Sequence, residues 1–355
     1  MDIDKLDKCL VDVIKSGKYD NNLVDFFYGQ MGICAALYMS NKRNSNMEIE
    51  QLADKFLDCI LEKTKTIVDT SFEHGLSGIG FAINFLHKEG CISGDIDDIL
   101  FSIDASIYKQ LNDDEIKVPP HLNGFIGYLA YIVERIENPF HNKESLLHEI
   151  DMSMLRRIIN NLYLLMPVYL KKLNEDLSPT FLSDCSILFY YFGRLLHANV
   201  YNEKIKKMIS NLEVYVCSVI PHYNLNKILI ANTLSYLNEK LRNESVKKYI
   251  KILYDAVEYE KIINEIDRGV NSFNVGWCNA LINITIALKY IEDNDKVLML
   301  YSQREKISSY ADKCINEILT CNNNNVKANF INGISGVSFA LSILLRLSPT
   351  QLKRT

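Results

Sequence analysis

The sequence has little proline, 7 residues in 355, a single tryptophan and only 15 glycines. With so few turn formers, hairpin dipeptides are scarce and alternating apolar–polar stretches are short, which disfavours β-sheet architectures. Long apolar runs are missing too. Segments such as LFYYF from Leu188 fall far short of the roughly 20 residues that cross a bilayer. Met1 to Asp20 is charged throughout and carries no secretory-signal pattern. No Cys-x-x-Cys pair occurs among the 9 cysteines, most of which sit among apolar residues at helical spacing. Buried free thiols in a reducing, cytoplasmic compartment are the expectation, with no transmembrane segment. Basic and acidic residues, 39 and 44, are interspersed to a net charge of -5, and no basic stripe marks a nucleic-acid partner. Serine elbows, P-loops, dinucleotide fingerprints and His-Glu-x-x-His motifs are all missing.

What is present is repetition. A hydrophobic fraction of 48% allows a large core. YGQMGICAALYM from Tyr28, HGLSGIGFAINFL from His74, NGFIGYLAYIV from Asn123 and NGISGVSFALSILL from Asn332 share one pattern. Each has a polar or aromatic residue, Gly-x-x-Gly, and then an apolar run of about three helical turns. Weaker copies are LSDCSILFYYFGRLL from Leu182, ILIANTLSYL from Ile228 and CNALINITIALKYI from Cys278. The first-glycine positions are then 29, 75, 124, 183, 228, 280 and 333, spaced 45 to 59 residues apart. A period of that length is the mark of a repeat architecture.

Between these motifs lie amphipathic helices such as MEIEQLADKFLDCILEKTK from Met47, SLLHEIDMSMLRRIINNLYLL from Ser145 and YADKCINEILT from Tyr310. The motif helices are apolar nearly all round. Alternation of the two kinds predicts inner and outer helix rings: an all-α, (α/α)7 double toroid of about seven helix hairpins, forming one domain over residues 1–355. Leu111 to His121 and Asn322 to Asn325 read as loops.

Glycine at a helix start permits positive φ and removes side chains where helices crowd. If the inner helices run the same way, their N-termini share one face. Unpaired N–H groups would make that face electropositive and fit for an anion, a metal-bound group or a peptide backbone. Polar residues expected there are Tyr28, Glu73, His74, His121, Asn123, Asp184, Cys185, Cys278, Asn279 and Asn332. Each also has a plainer reading. The acids suit helix capping, His74 suits a bond to a neighbouring loop, and Cys278 suits a buried thiol beside Trp277.

YGQMGI, HGLSGIG, GWCNA and NGISGV, at this period, resemble the lanthionine synthetase C-like family over nearly the whole chain. The resemblance implies the (α/α)7 toroid. It also implies a zinc ion at the inner-helix N-termini, which activates peptide cysteine thiolates for thioether formation. The family's ligands are a Cys in Trp-Cys-x-Gly and an adjacent Cys-His in Cys-His-Gly. Trp277-Cys278 matches the first motif as far as the cysteine, with Ala280 for its glycine. By repeat count Cys278 instead stands in the Cys-His-Gly position, with Asn279 for the histidine. In either register one of three ligands is kept. Leu182-Ser183 stands where the family has its catalytic histidine before the fourth-repeat glycine, and VPPHLN from Val118 lacks its acidic residue.

These departures point to a protein that binds a ribosomally made precursor peptide, or assists a maturation enzyme, without zinc. Substrate contacts are expected from Tyr28, His74, Asn123, Trp277, Asn279 and Asn332, with Cys278 the remaining metal-ligand candidate. Two alternatives stay open. One is an active zinc-dependent cyclase with a rearranged site drawn from His74, His121, Cys185 and Cys278. The other is a carbohydrate-active toroid using a carboxylate pair such as Glu73 and Asp184, with His74 and His121 as further catalytic candidates.

Overall fold

The computed structural model describes residues 3–17, 19–113, 121–175, 179–267 and 334–344, with short stretches between 283 and 309. Trp277, Cys278, Asn279 and Asn332 lie outside the described residues. Among those described there is no β-strand. The helices are α1 (Ile3–Lys15), α2 (Gln30–Asn44), α3 (Met47–Thr64), α4 (Leu76–Lys88), α5 (Ile96–Asn112) and α6 (Phe125–Ile136). They continue with α7 (Leu146–Glu175), α8 (Pro179–His197), α9 (Asn202–Val216), α10 (Asn224–Leu241), α11 (Glu244–Asp255), α12 (Ile262–Asp267) and α13 (Ile334–Leu344). This all-helical architecture is the one expected of an α/α toroid.

The chain divides into two compact units. One comprises Asp2–Asn161 with Lys313–Ile343, the other chiefly Leu162–Asp312. In the first, α2, α4 and α6 are neighbours in that order, with α3 packed on α2 and α5 on α4. In the second, α8 packs on α10, with α9 on α8 and α11 on α10. The pattern follows from where each helix keeps its apolar residues. Every residue of α2 from Gln30 to Ser40 is buried, as is every residue of α6 from Phe125 to Arg135. By contrast α3 buries a single stripe, Ile49, Ala53, Phe56, Leu57, Ile60 and Thr64. A helix apolar all round needs neighbours all round, while a stripe is satisfied by one.

The two kinds of helix also begin differently. Three outer helices, α3, α5 and α11, start on a polar side chain: the Asn46, Asp95 and Asn243 side chains accept from the backbone N–H of Glu48, Asp97 and Ser245, respectively. Inner helices start on Gly29, Gly75 and Gly124, which offer no side chain to cap with. There the entering loop does the capping. Gln30 N donates to Leu23 O at 2.9 Å, Leu76 N to Asp69 O at 2.9 Å, and Ile126 N to His121 O at 3.3 Å.

That arrangement corrects the expected role of the glycines. Their φ values, −105°, −127° and −139°, are all negative, and Gly29 and Gly75 are ordinary extended backbone. Close approach is what demands glycine. A Cβ on Gly75 would stand 2.4 Å from Asp69 O, and one on Gly127 would stand 2.1 Å from Leu122 O.

Two repeat registers move as well. Helix α8 begins at Pro179, so Ser183 lies a turn inside it. Helix α10 begins at Asn224 on the cap residue Tyr223, five residues before the expected start at Ile228. Tyr223-x-x-Asn226 therefore replaces Gly-x-x-Gly in the fifth repeat. The fourth and fifth repeats lack the glycines that mark the start, and an apolar run alone places it too late. Likewise α5 runs on to Asn112, past the expected loop start at Leu111.

Helix α13 belongs to the first unit. Its Ser338 Oγ lies 3.3 Å from Asp7 Oδ1 of α1, and its Ser342 Oγ accepts from Arg43 Nη1 of α2 at 2.5 Å. The Phe339 and Phe85 rings stand 5.5 Å apart. The last repeat thus packs against the first two.

Candidate functional site

The residue just before the cap glycine takes an equivalent place in each early repeat: Tyr28, His74 and Asn123. The structure connects them. The Tyr28 and His74 rings stack with centroids 5.3 Å apart and planes 17° from parallel. His74 Nε2 is 3.9 Å from Glu73 Oε2. Asn123 grips Glu73 twice, donating Nδ2 to Oε2 at 2.6 Å and accepting the Glu73 backbone N–H on Oδ1 at 2.8 Å. The Asn123 backbone N–H donates to His121 Nδ1 at 3.1 Å. Tyr28, His74, Glu73, Asn123 and His121 thus form one continuous run across three repeats within one unit.

Each position has a local cause. The loop ahead of α2 is pinned by Asp25, whose Oδ1 accepts from the backbone N–H groups of Tyr28 and Gly29 at 2.6 and 3.0 Å. This turns the Tyr28 ring outward, with the residue 38% exposed. The His74 and Glu73 side chains are 54% and 24% exposed. Burial, then the charges of Glu73 and Asp25, raises the Tyr28 pKa, so the phenol stays protonated. The bond from Asn123 N requires a lone pair on His121 Nδ1, which leaves the ring proton of the neutral imidazole on Nε2.

Loop carbonyls take some of the first-turn N–H groups: those of Gln30 and Met31 at α2, Leu76 at α4 and Ile126 at α6. The expected face of open N–H groups is therefore partly closed at these three repeats. They present aromatic rings, imidazoles and a carboxylate. Glu73 does not cap α4, because that cap makes no side-chain bond.

The remaining candidates separate from this run. Asp184 is 6% exposed and Cys185 is fully buried. Burial, opposed by a Tyr169 hydrogen bond, pushes the Cys185 thiol up to about 12, so it stays protonated and a poor metal ligand. A carboxylate as enclosed as Asp184 offers a glycan no approach. Glu73 and Asp184 fall in different units.

The described residues do not assemble the zinc site that the resemblance implies. Asp176-Leu177-Ser178, just before α8, contains no histidine. The approach to α10 is Pro221-His222-Tyr223, which offers one imidazole and no thiol. Among the described residues no group of three or more His, Cys, Asp or Glu is placed to hold a metal ion.

Sequence reasoning missed the polar cluster at the start of α10. Glu265 accepts from the Asn224 and Leu225 backbone N–H groups at 3.0 and 3.3 Å. Lys227, buried, donates to Asn224 Oδ1 at 3.0 Å and Ala256 O at 2.9 Å.

Residues 19–178 match the family described as lanthionine synthetase C-like protein. The matched span contains all five members of the exposed run. No curated protein matches the chain. No helix among the described residues is long and apolar enough to cross a membrane.

Proposed function

We propose that the chain, whose residues 19–178 match the lanthionine synthetase C-like family, is a member of it that binds a ribosomally made precursor peptide without zinc chemistry, as an accessory to a maturation enzyme. The observation that carries this reading is the continuous run from Tyr28 to His121. It gathers hydrogen-bonding groups and an aromatic stack from three repeats on accessible surface. Such a row suits an extended peptide, whose backbone and side chains present both polar and apolar groups. Loss of the zinc donors supports binding over cyclisation. The single-domain organisation over residues 1–355 is part of the same proposal.

Titration with a library of linear cysteine-containing peptides tests it. Binding by the wild type is expected to weaken about tenfold in His74→Ala and in Asn123→Ala, the size of one lost charge-assisted contact. Unchanged binding in both variants rejects the site. The retained Trp277-Cys278 favours the competing reading of an active cyclase. Stoichiometric zinc in freshly purified protein, lost together with thioether formation in Cys278→Ala, would establish that reading instead.

A further inference from the structure

We propose that Tyr28, His74 and Glu73 form a receptor for a guanidinium group, the arginine side chain of a bound peptide. This rests on the peptide-binding reading and narrows it to one recognised side chain.

The geometry comes first. Tyr28 and His74 make a near-parallel stack, 5.3 Å between centroids, partly open to solvent on both members. The Glu73 carboxylate sits at the edge of that stack, 3.9 Å from the imidazole. Its direction is set by Asn123, which holds Oε2 and the Glu73 backbone N–H at once. Oε1 accepts no hydrogen bond from the described residues, and no Lys or Arg among them pairs with Glu73. A fixed carboxylate thus presents one unused oxygen beside exposed π surface. Buried Asp25 behind Tyr28 adds negative potential and no positive group.

Only one common side chain answers both features together. A guanidinium is planar, so it lies on an aromatic face while its edge donates to the carboxylate. An ammonium satisfies the charge but not the flat contact. A carboxylate ligand meets repulsion from Glu73. An apolar side chain would cover the free oxygen without replacing its hydrogen bonds to water.

The experiment uses the full chain and three pentapeptides, Gly-Gly-Arg-Gly-Gly and its Lys- and Glu-centred versions, titrated by ligand-observed NMR at low salt. The arginine peptide is expected to bind about tenfold more tightly than the glutamate peptide, with lysine between them. The preference should shrink with added salt, because the pair is solvent-accessible. Glu73→Gln keeps an acceptor for Asn123 and should abolish the preference. Tyr28→Leu should weaken the arginine peptide about threefold. Equal binding of the three peptides, no binding of any, or a preference that survives Glu73→Gln would overturn the proposal. Longer cysteine-containing peptides that bind without regard to arginine would leave the peptide-binding reading standing and remove this one alone.

Discussion

Gly78 has no room for a β-carbon: one built there would stand 1.9 Å from the carbonyl oxygen of Phe72. The obstacle is backbone, so no rotamer change relieves it. Gly90, after α4, is the opposite case, with φ of +68° and open space around it. Gly78→Ala is expected to cost about 3 kcal/mol by forcing the loop off the first turn of α4, whereas Gly90→Ala costs about 1 kcal/mol of backbone strain. Chemical denaturation of the two variants checks the order, and equal costs would contradict the close-approach account. The same residue scale shows what could be read beforehand. Tyr28, His74 and Asn123 were legible because a surviving Gly-x-x-Gly follows each of them. Asp25, which orients Tyr28, belongs to no pattern, since its role comes from a loop doubling back. Tyr223 and Asn226 stand where glycines once marked the register, and their position became visible only from the helix start.

Three helices meet at a buried polar cluster that no motif announces. Arg135 of α6 reaches Asp97 and Asp104 of α5 at 3.0 and 2.9 Å. His141, in the loop after α6, contacts Asp97 at 2.7 Å through Nδ1 and lies 3.1 Å from Asp151 of α7 through Nε2. The second contact is close as a charge pair but poorly aligned as a hydrogen bond. Tyr131 and Tyr108 donate to Asp104 and Asp151. These partners are spread from residue 97 to 151 without a spacing rule, so only the folded chain assembles them. Asp151 raises the His141 pKa above the ordinary value of 6.5, burial opposes it, and Asp97 adds to the rise. Burial also lifts Asp104 to about 6 against the pull of Arg135. Nearby His148 is shifted the other way, by burial and by His141 itself. For both His141 and Asp104 the folded pKa exceeds the unfolded one. Their stabilisation is therefore complete below the unfolded pKa and is lost as pH rises through the folded value. For Asp97 burial pushes upward, but His141 and Arg135 hold its pKa below normal, so its contribution is lost only in acid. Stability is expected to fall as pH rises, between about 4 and 6 through Asp104 and from about 6.5 upward through His141. His141→Gln should flatten the slope above about pH 6.5 in urea titrations and leave the lower limb in place. An unchanged slope would remove His141 as its source.

At the scale of the molecule, the chain begins and ends its repeats in the same unit, and Asp7 ties the two together. Its carboxylate, 4% exposed, accepts from Arg43 and from Asn44 Nδ2 at 2.7 Å, both on α2, and faces Ser338 Oγ of α13. Arg43 in turn donates to Ser342, so α1, α2 and α13 share one polar junction across more than 300 positions of sequence. Local periodicity predicted a repeat series and is silent on how its ends are held, because a contact at that separation leaves no spacing to read. Helix α13 is short and apolar, so it needs neighbours that arrive from the far end of the chain. Removing one partner of an enclosed ion pair strands the other without compensation, at about 3 kcal/mol or more. Asp7→Ala is therefore expected to lower stability by about that amount, a large fraction of a typical 5–15 kcal/mol. An exposed change one residue away, Lys8→Ala, should stay within about 0.5 kcal/mol. Hydrogen exchange distinguishes a junction from a local contact. If Asp7 holds both ends, amides of α1 and α13 lose protection together in Asp7→Ala, and Arg43→Ala produces the same pair of changes with little further effect in the double variant. Loss confined to α1 would mean that α13 is held by its apolar packing alone and that the polar junction only orients it.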